Sequence, residues 1–200
     1  MKTLIVASGN KGKLKEIEAI LGKFYKIIPM SEIGYTADIE ENGLTFYDNA
    51  LIKAKTVAEA VKMDVLADDS GLMVEALNGE PGVYSARYAG AHGNDKLNRD
   101  VLLKNLSGES NRKAKFVSSV VLYTANGEIY SGYGETHGDI LFEEVGENGF
   151  GYDCIFNSHD LNKSFGIATA EEKNGVSHRY RALIDLKEKL DGIGSVITSD

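Results

Sequence analysis

The chain reads as an α/β protein, a mixed twisted sheet with flanking helices. Two observations predict this: short apolar runs alternate with helical apolar periodicity through the first half, and an Asn-Gly hairpin signal follows in the second. A third bounds the organisation. In 200 residues there is no internal repeat, low-complexity segment or linker long enough to separate independent domains, so residues 1–200 read as one domain.

Residues 2–7, KTLIVA, read as a buried strand that Ser8-Gly9-Asn10 ends. A helix follows with Leu14, Ile17, Leu21 and Phe24 on one face, then a second strand over 25–29. A polar stretch runs to Gly43, after which Thr45 and Asp48 form a capping box for a helix with Phe46, Ala50, Ala54, Val57, Ala58 and Val61 as its apolar stripe. Residues 64–67 form a strand running into Asp68-Asp69-Ser70-Gly71, read as a turn or a site. A helix spans about 94–106 and a strand 114–124; Asn126-Gly127 turns the chain back antiparallel through 128–133. A further strand is expected near 138–142, a Gly-aromatic loop from Asn148 to Phe156, and a closing helix over 177–190 with Leu183, Leu186 and Leu190 buried.

Composition narrows the function classes. With 22 basic against 30 acidic residues the net charge is −8, a balance that repels a nucleic-acid backbone, and no basic run appears. No apolar run approaches the roughly 20 residues needed to span a bilayer. The short N-terminal apolar stretch reads as a strand and not as a signal-peptide core. One cysteine, Cys154, excludes an internal disulfide and fits a reducing compartment, so a cytoplasmic location is expected. Individual nucleotides remain possible ligands, their phosphates met by local cations, backbone amides and a metal ion.

Five segments carry potential chemistry. Ser8-Gly9-Asn10-Lys11-Gly12-Lys13 joins a strand to a helix N-terminus, where glycines admit a phosphate and free amides and lysines attract it; it also reads as a plain helix cap. Adjacent acids Asp68 and Asp69 are costly unless used: a lone pair raises one pKa, whereas a divalent cation holds both ionised. Glu41, ahead of Asn42-Gly43, reads by itself as part of a solvated acidic loop, or it joins Asp69 in holding a hard cation such as Mg²⁺; Asn49 and Lys53, at i and i+4, either face one cleft or cover an exposed helix face. Gly149-Phe150-Gly151-Tyr152-Asp153 reads either as a buried loop packed by its own aromatics or as two aromatic faces for stacking on a base, with Asp153 an acceptor for its edge. Lys173 precedes Ser177-His178-Arg179, where His178 and Arg179 open the closing helix; a lone His there reads as structural, and Arg179 is a good reader of carbonyl or phosphate oxygens. His92, His137 and His159 lie in no metal-ligand pattern, and there is no nucleophile elbow.

The order SGNKGK, ENGLTFYDNALIKA, ADDSGLMVEALNGEPGVYSARYAG, GFGYD, EEKNGVSHR resembles the inosine triphosphate pyrophosphatase family from residue 3 to about residue 185. The resemblance implies an elongated α/β domain of two lobes with a central cleft, usually a homodimer. It implies hydrolysis of ITP, dITP and XTP to the monophosphate and pyrophosphate with Mg²⁺. It assigns Ser8, Gly9, Asn10, Lys11, Gly12 and Lys13 to the triphosphate, and Asp69 to the roles of catalytic base and metal ligand. Glu41 is the second metal ligand and Ser70 touches substrate. Phe150, Gly151, Tyr152 and Asp153 form the base pocket, completed by Lys173, His178 and Arg179, while Lys53 and Arg87 reach phosphates. Cys154 stands where the family commonly has Pro, and Asn148 where Gly is common.

The chemistry expected is attack of water on the α-phosphorus. Selectivity is expected from a donor, Arg179 or an amide of 173–179, that pairs with a 6-oxo group and is left unsatisfied by a 6-amino group. Two other classes compete: a pyrophosphatase for modified pyrimidine nucleotides, favoured by activity on dTTP or dUTP, and a nucleotide sensor without turnover, which has no need of both acids.

Overall fold

Chain order is β1 (Lys2–Val6), α1 (Lys11–Leu21), β2 (Tyr25–Pro29), α2 (Phe46–Val61), β3 (Val65–Val74), α3 (Asp95–Asn105), β4 (Lys113–Tyr123), β5 (Ile129–Ile140), β6 (Phe156–Ser158), β7 (Lys163–Ser164), α4 (Ala170–Val176) and α5 (His178–Ile197). The computed structural model describes residues 2–90 and 93–197; His92 lies outside them. The strands form one sheet in the order β2-β1-β3-β4-β5-β6-β7. Parallel pairing of β1 with β2 and β3, and antiparallel pairing of β6 with β5 and β7, make it mixed.

Two compact units share these elements. The first comprises Met1–Asp69, Ser118–Gly134 and Arg179–Asp200, the second Ser70–Val117 and Glu135–His178. In the first, the period-2 alternation of the strands sorts residues onto two faces. Ile5, Ala7, Val65 and Ala67 pack with Ala50, Ala54 and Val57 of α2. Leu4, Val6 and Leu66 pack with Ile17 and Ile20 of α1 and with Ala182, Leu183 and Leu186 of α5. Each such buried side chain contributes about 1.5–3 kcal/mol. The helix α2 starts where expected: Thr45 Oγ1 accepts from Asp48 N at 3.1 Å and Asp48 Oδ2 accepts from Thr45 N at 3.1 Å. Gly132 of β5 lies against α5, where an added Cβ would stand 2.1 Å from Ala182 O.

The second unit is built on Leu72 and Val74 of β3, Leu102 of α3, Phe116, Ile140, Phe156 and Phe165. The rings of Phe116 and Phe156 meet at 4.6 Å.

Three expectations are corrected. Asp68 to Gly71 is neither turn nor loop but the middle of the ten-residue β3; a strand buried on both faces tolerates acids when each has partners, as below. Phe24 is outside α1, which Gly22 ends, and is 40% exposed. The strand expected near 138–142 is the end of the continuous β5. The closing helix expected over 177–190 is α5, and a separate helix, α4, precedes it and is ended by Ser177 in an extended conformation.

Candidate active site

The alternation that sorts the core of the first unit continues through the acidic pair. Ala67 and Asp69 share the face toward α2; Leu66 and Asp68 share the face toward α1 and α5. Adjacent carboxylates are thereby sent to opposite sides of one strand, which limits their repulsion and gives each a different environment.

Asp68 is 1% exposed and surrounded by donors. Arg179 donates to its Oδ2 from Nε at 3.3 Å and from Nη2 at 3.1 Å; Lys13 Nζ lies at 2.8 Å, and the Ser118 hydroxyl donates to Oδ1. Arg179, itself 1% exposed, also donates to buried Glu16. Burial alone would raise the Asp68 pKa, but Arg179 and Lys13 outweigh it and hold the carboxyl far below the usual range. Such a group stays ionised and fully engaged. It is an anchor, not a base.

Asp69, 8% exposed, faces the other way. Asn49 Nδ2 donates to its Oδ2 at 3.2 Å, and Lys53 Nζ lies 3.5 Å from Oδ1 and 2.9 Å from Glu41 Oε2. Burial raises the Asp69 pKa against the pull of Lys53 and Lys13, with Glu41 and Asp68 adding to the rise. Glu41 moves the other way: burial would raise it, but Lys53 dominates and lowers it. For Lys53, burial is outweighed by Asp69 and Glu41, so its pKa is raised. The site therefore holds two carboxylates of unequal basicity sharing one ammonium. Hard oxygen donors that already attract a cation suit Mg²⁺, which needs only one or two protein carboxylates. Among the described residues no cluster of three or more His, Cys, Asp or Glu is arranged to hold a metal.

The first loop of this unit brings Ser8 to Lys13 to the N-terminus of α1. Asn10 caps it, accepting from Lys13 N at 3.1 Å, while Asn10 N donates to Ser8 Oγ at 3.2 Å. Lys11 is exposed and begins the helix, where the first amides have no intrahelical partner, and Gly12 follows it. Lys13 turns inward to Asp68; burial, with Lys53 and Arg179 nearby, lowers its pKa despite that partner. Gly9 has open space around it, room for a ligand to approach the backbone.

In the second unit Ser70 is half-buried in β3 and Arg87 stands over the Tyr84 ring at 5.3 Å. The Gly-aromatic loop departs from expectation. Tyr152 is 5% exposed, belongs to the core and donates from its hydroxyl to Ser85 O at 2.7 Å. Burial raises its pKa. A ring fixed in that way does not offer a stacking face; Phe150 is half-buried, with Lys173 Nζ over its ring at 4.7 Å. Asp153, 3% exposed, accepts from Lys173 Nζ at 2.6 Å and from Phe150 N at 2.9 Å. It braces the loop. His178 stacks on Phe116 at 4.9 Å with 15° between the rings. Arg179, expected to meet a base edge, is instead committed to Asp68 and Glu16 in the first unit. Asn148 does what a glycine there could not, donating from Nδ2 to Ala168 O at 3.0 Å.

Glu16 and Ser118 escaped the sequence reading. Glu16 carried a signal: it lies three residues after Lys13 and four before Ile20, on the buried stripe of α1. An acid on such a stripe requires a cation. Ser118, inside an apolar strand, carried none.

The Ham1 family model matches residues 4–189. The chain is similar to the dITP/XTP pyrophosphatase of Clostridium tetani, 45% identical over 95% of this chain and 96% of that one. It is 46% identical to the dITP/XTP pyrophosphatase of Haemophilus influenzae, over 94% of this chain and 98% of that one. Its structure resembles that of the Staphylococcus aureus Ham1 protein with a TM-score of 0.85 and 41% identity, covering 96% of this chain and 99% of that one.

Proposed function

The chain belongs to the Ham1 family, and on that premise we propose that it hydrolyses non-canonical purine nucleoside triphosphates, dITP, XTP and ITP, to the monophosphate and pyrophosphate. It is a nucleoside-triphosphate pyrophosphatase, as its relatives named dITP/XTP pyrophosphatase are. The single observation that carries the mechanism is the contrast between adjacent acids, Asp68 locked by Arg179 and Lys13 and Asp69 left with a raised pKa beside Glu41 and Lys53.

Asp69 is the base that orients and deprotonates the water attacking the α-phosphorus; a carboxylate of raised pKa takes a proton more readily than Asp68 does. Asn49 holds its other oxygen in place. Lys53 and Lys13, with the amides at the start of α1 and the loop Ser8–Gly12, meet the negative charge of the triphosphate. Glu41 and Asp69 would hold Mg²⁺, which would supply positive charge to offset that developing on the leaving pyrophosphate. In the second unit Phe150 supplies the stacking face for the base, and Lys173, Asp153 and His178 shape its surroundings; Ser70 and Arg87 contact substrate. Gly151 and Tyr152 set the loop that carries Phe150. A cytoplasmic homodimer completes the proposal. No described helix is long and apolar enough to cross a membrane, and the net charge of −8 disfavours nucleic acid.

The test is pyrophosphate release from dITP, XTP, ITP, ATP, GTP and dTTP, with Mg²⁺ and with EDTA. Metal-dependent turnover of the first three, with little of ATP and GTP, is expected. Activity centred on dTTP, or tight ITP binding without turnover, overturns the proposal.

A further inference from the structure

The two peptide groups that flank the Gly151 Cα are both held by one helix. Gly151 N donates to Asp95 Oδ2 at 3.0 Å, and Gly151 O accepts from Arg99 Nη1 at 2.7 Å. Asp95 and Arg99 stand at i and i+4 on α3, so they project from the same face. Arg99 is only 14% exposed at its side chain and is itself oriented by Glu144, 2.9 Å from Nε. The helix is fixed in turn: buried Asn98 accepts from Ala89 N at 2.8 Å and donates to Ala86 O at 3.2 Å. On the other side of Phe150, its own N–H is held by Asp153 Oδ2.

The peptide groups before and after Phe150 are therefore both tethered. A residue has two soft backbone torsions, and these lie between those two groups, so the ring is left only its rotamer. The flanking glycines, with φ of +75° at Gly149 and +60° at Gly151, would otherwise make this the loosest backbone in the loop.

We propose that Asp95 and Arg99 are positioning residues that clamp the peptide groups on either side of Gly151, Asp95 the one after Phe150 and Arg99 the next, and so hold the Phe150 ring ready for the nucleotide base. The proposal rests on the function inferred above. Binding to a ring already in place avoids the cost of ordering the loop. Losing the clamp weakens nucleotide binding and narrows the discrimination of XTP from GTP, while the Asp69 chemistry in the first unit is untouched.

The test has two readouts on wild type, Arg99→Leu, Asp95→Ala and Asp95→Asn, each checked for a cooperative melt. The first, amide exchange at Gly151 by NMR, needs no substrate: faster exchange is expected in Arg99→Leu and Asp95→Ala, and near-wild-type exchange in Asp95→Asn, which keeps an acceptor. The second is steady-state kinetics with XTP and GTP. KM for XTP should rise about tenfold, as expected for one or two lost hydrogen bonds, with kcat little changed, the XTP/GTP ratio reduced, and Asp95→Asn rescued. Unchanged exchange overturns the clamp. Faster exchange with unchanged KM and ratio overturns its role in recognition. If wild type hydrolyses none of the purine substrates, the proposed function fails on its own account, and the exchange readout alone decides the clamp.

Discussion

Replacing each acid of the pair by its amide separates fold from chemistry. Asp68→Asn removes the carboxylate that buried Lys13 and Arg179 share, leaving Arg179 with Glu16 and Lys13 with the charge of Asp69 and Glu41. Breaking one side of a buried ion pair costs about 3–5 kcal/mol. In a protein of this size 1 kcal/mol shifts the melting temperature by roughly 2–4 °C, so a fall of about 6–20 °C is expected. Asp69→Asn should do the reverse. The raised pKa of Asp69 means that the fold disfavours its ionised form; the neutral amide removes that cost and still accepts from Asn49. Its melting temperature should equal or exceed that of wild type, while kcat falls about 10²–10⁴-fold through loss of the base. Differential scanning calorimetry and pyrophosphate release on the two purified variants decide the matter. An Asp68→Asn protein that melts like wild type, or an Asp69→Asn protein that turns over normally, refutes the division of labour between the faces of β3.

Acid should remove the contribution of Asp68. Its folded pKa lies below its unfolded value, so its stabilisation is full above about pH 4 and is lost as pH falls toward the folded value; the melting gap between wild type and Asp68→Asn should narrow below that pH. Lys173→Met strands Asp153, 3% exposed, without its ammonium and should cost about 3–5 kcal/mol in urea unfolding; a loss under 1 kcal/mol would mean Asp153 finds another donor. Gly132→Ala puts a methyl 2.1 Å from Ala182 O, and about 1–3 kcal/mol of overpacking strain is expected, measurable as a lower denaturation midpoint with XTP specificity unchanged.

The α2 capping box, the hairpin at Asn126-Gly127 and the strands over the first half were legible because each rests on local chemistry that neighbouring residues state outright. The extent of β3 was not. Asp-Asp-Ser-Gly has the composition of a turn, and only partners distant in the chain, Lys13, Lys53, Ser118 and Arg179, make it an affordable strand. Tyr152 was misread for a related reason. A Gly-aromatic loop does not disclose which ring turns inward, and Ser85 O, which accepts from its hydroxyl, lies 67 residues away. Arg179 was legible as important but not as an anchor, because Glu16 becomes its partner only when α1 and α5 share one face of the sheet.

The placing of Asp68 and Asp69 on opposite faces governs what kinds of sequence change the protein can survive. Substitutions around Asp69 can retune the reaction while the ionic anchor behind the strand keeps the fold, so new chemistry can be explored at small structural risk. A one-residue insertion or deletion in β3 ahead of the pair is another matter. Slipping an extended strand by one position exchanges its faces: a deletion delivers the reactive acid to Arg179 and leaves Ser70 beside Lys53, while an insertion delivers the anchoring acid to Lys53 and leaves Ala67 beside Arg179. A single codon gained or lost there should abolish folding and catalysis together, however conservative the neighbouring residues.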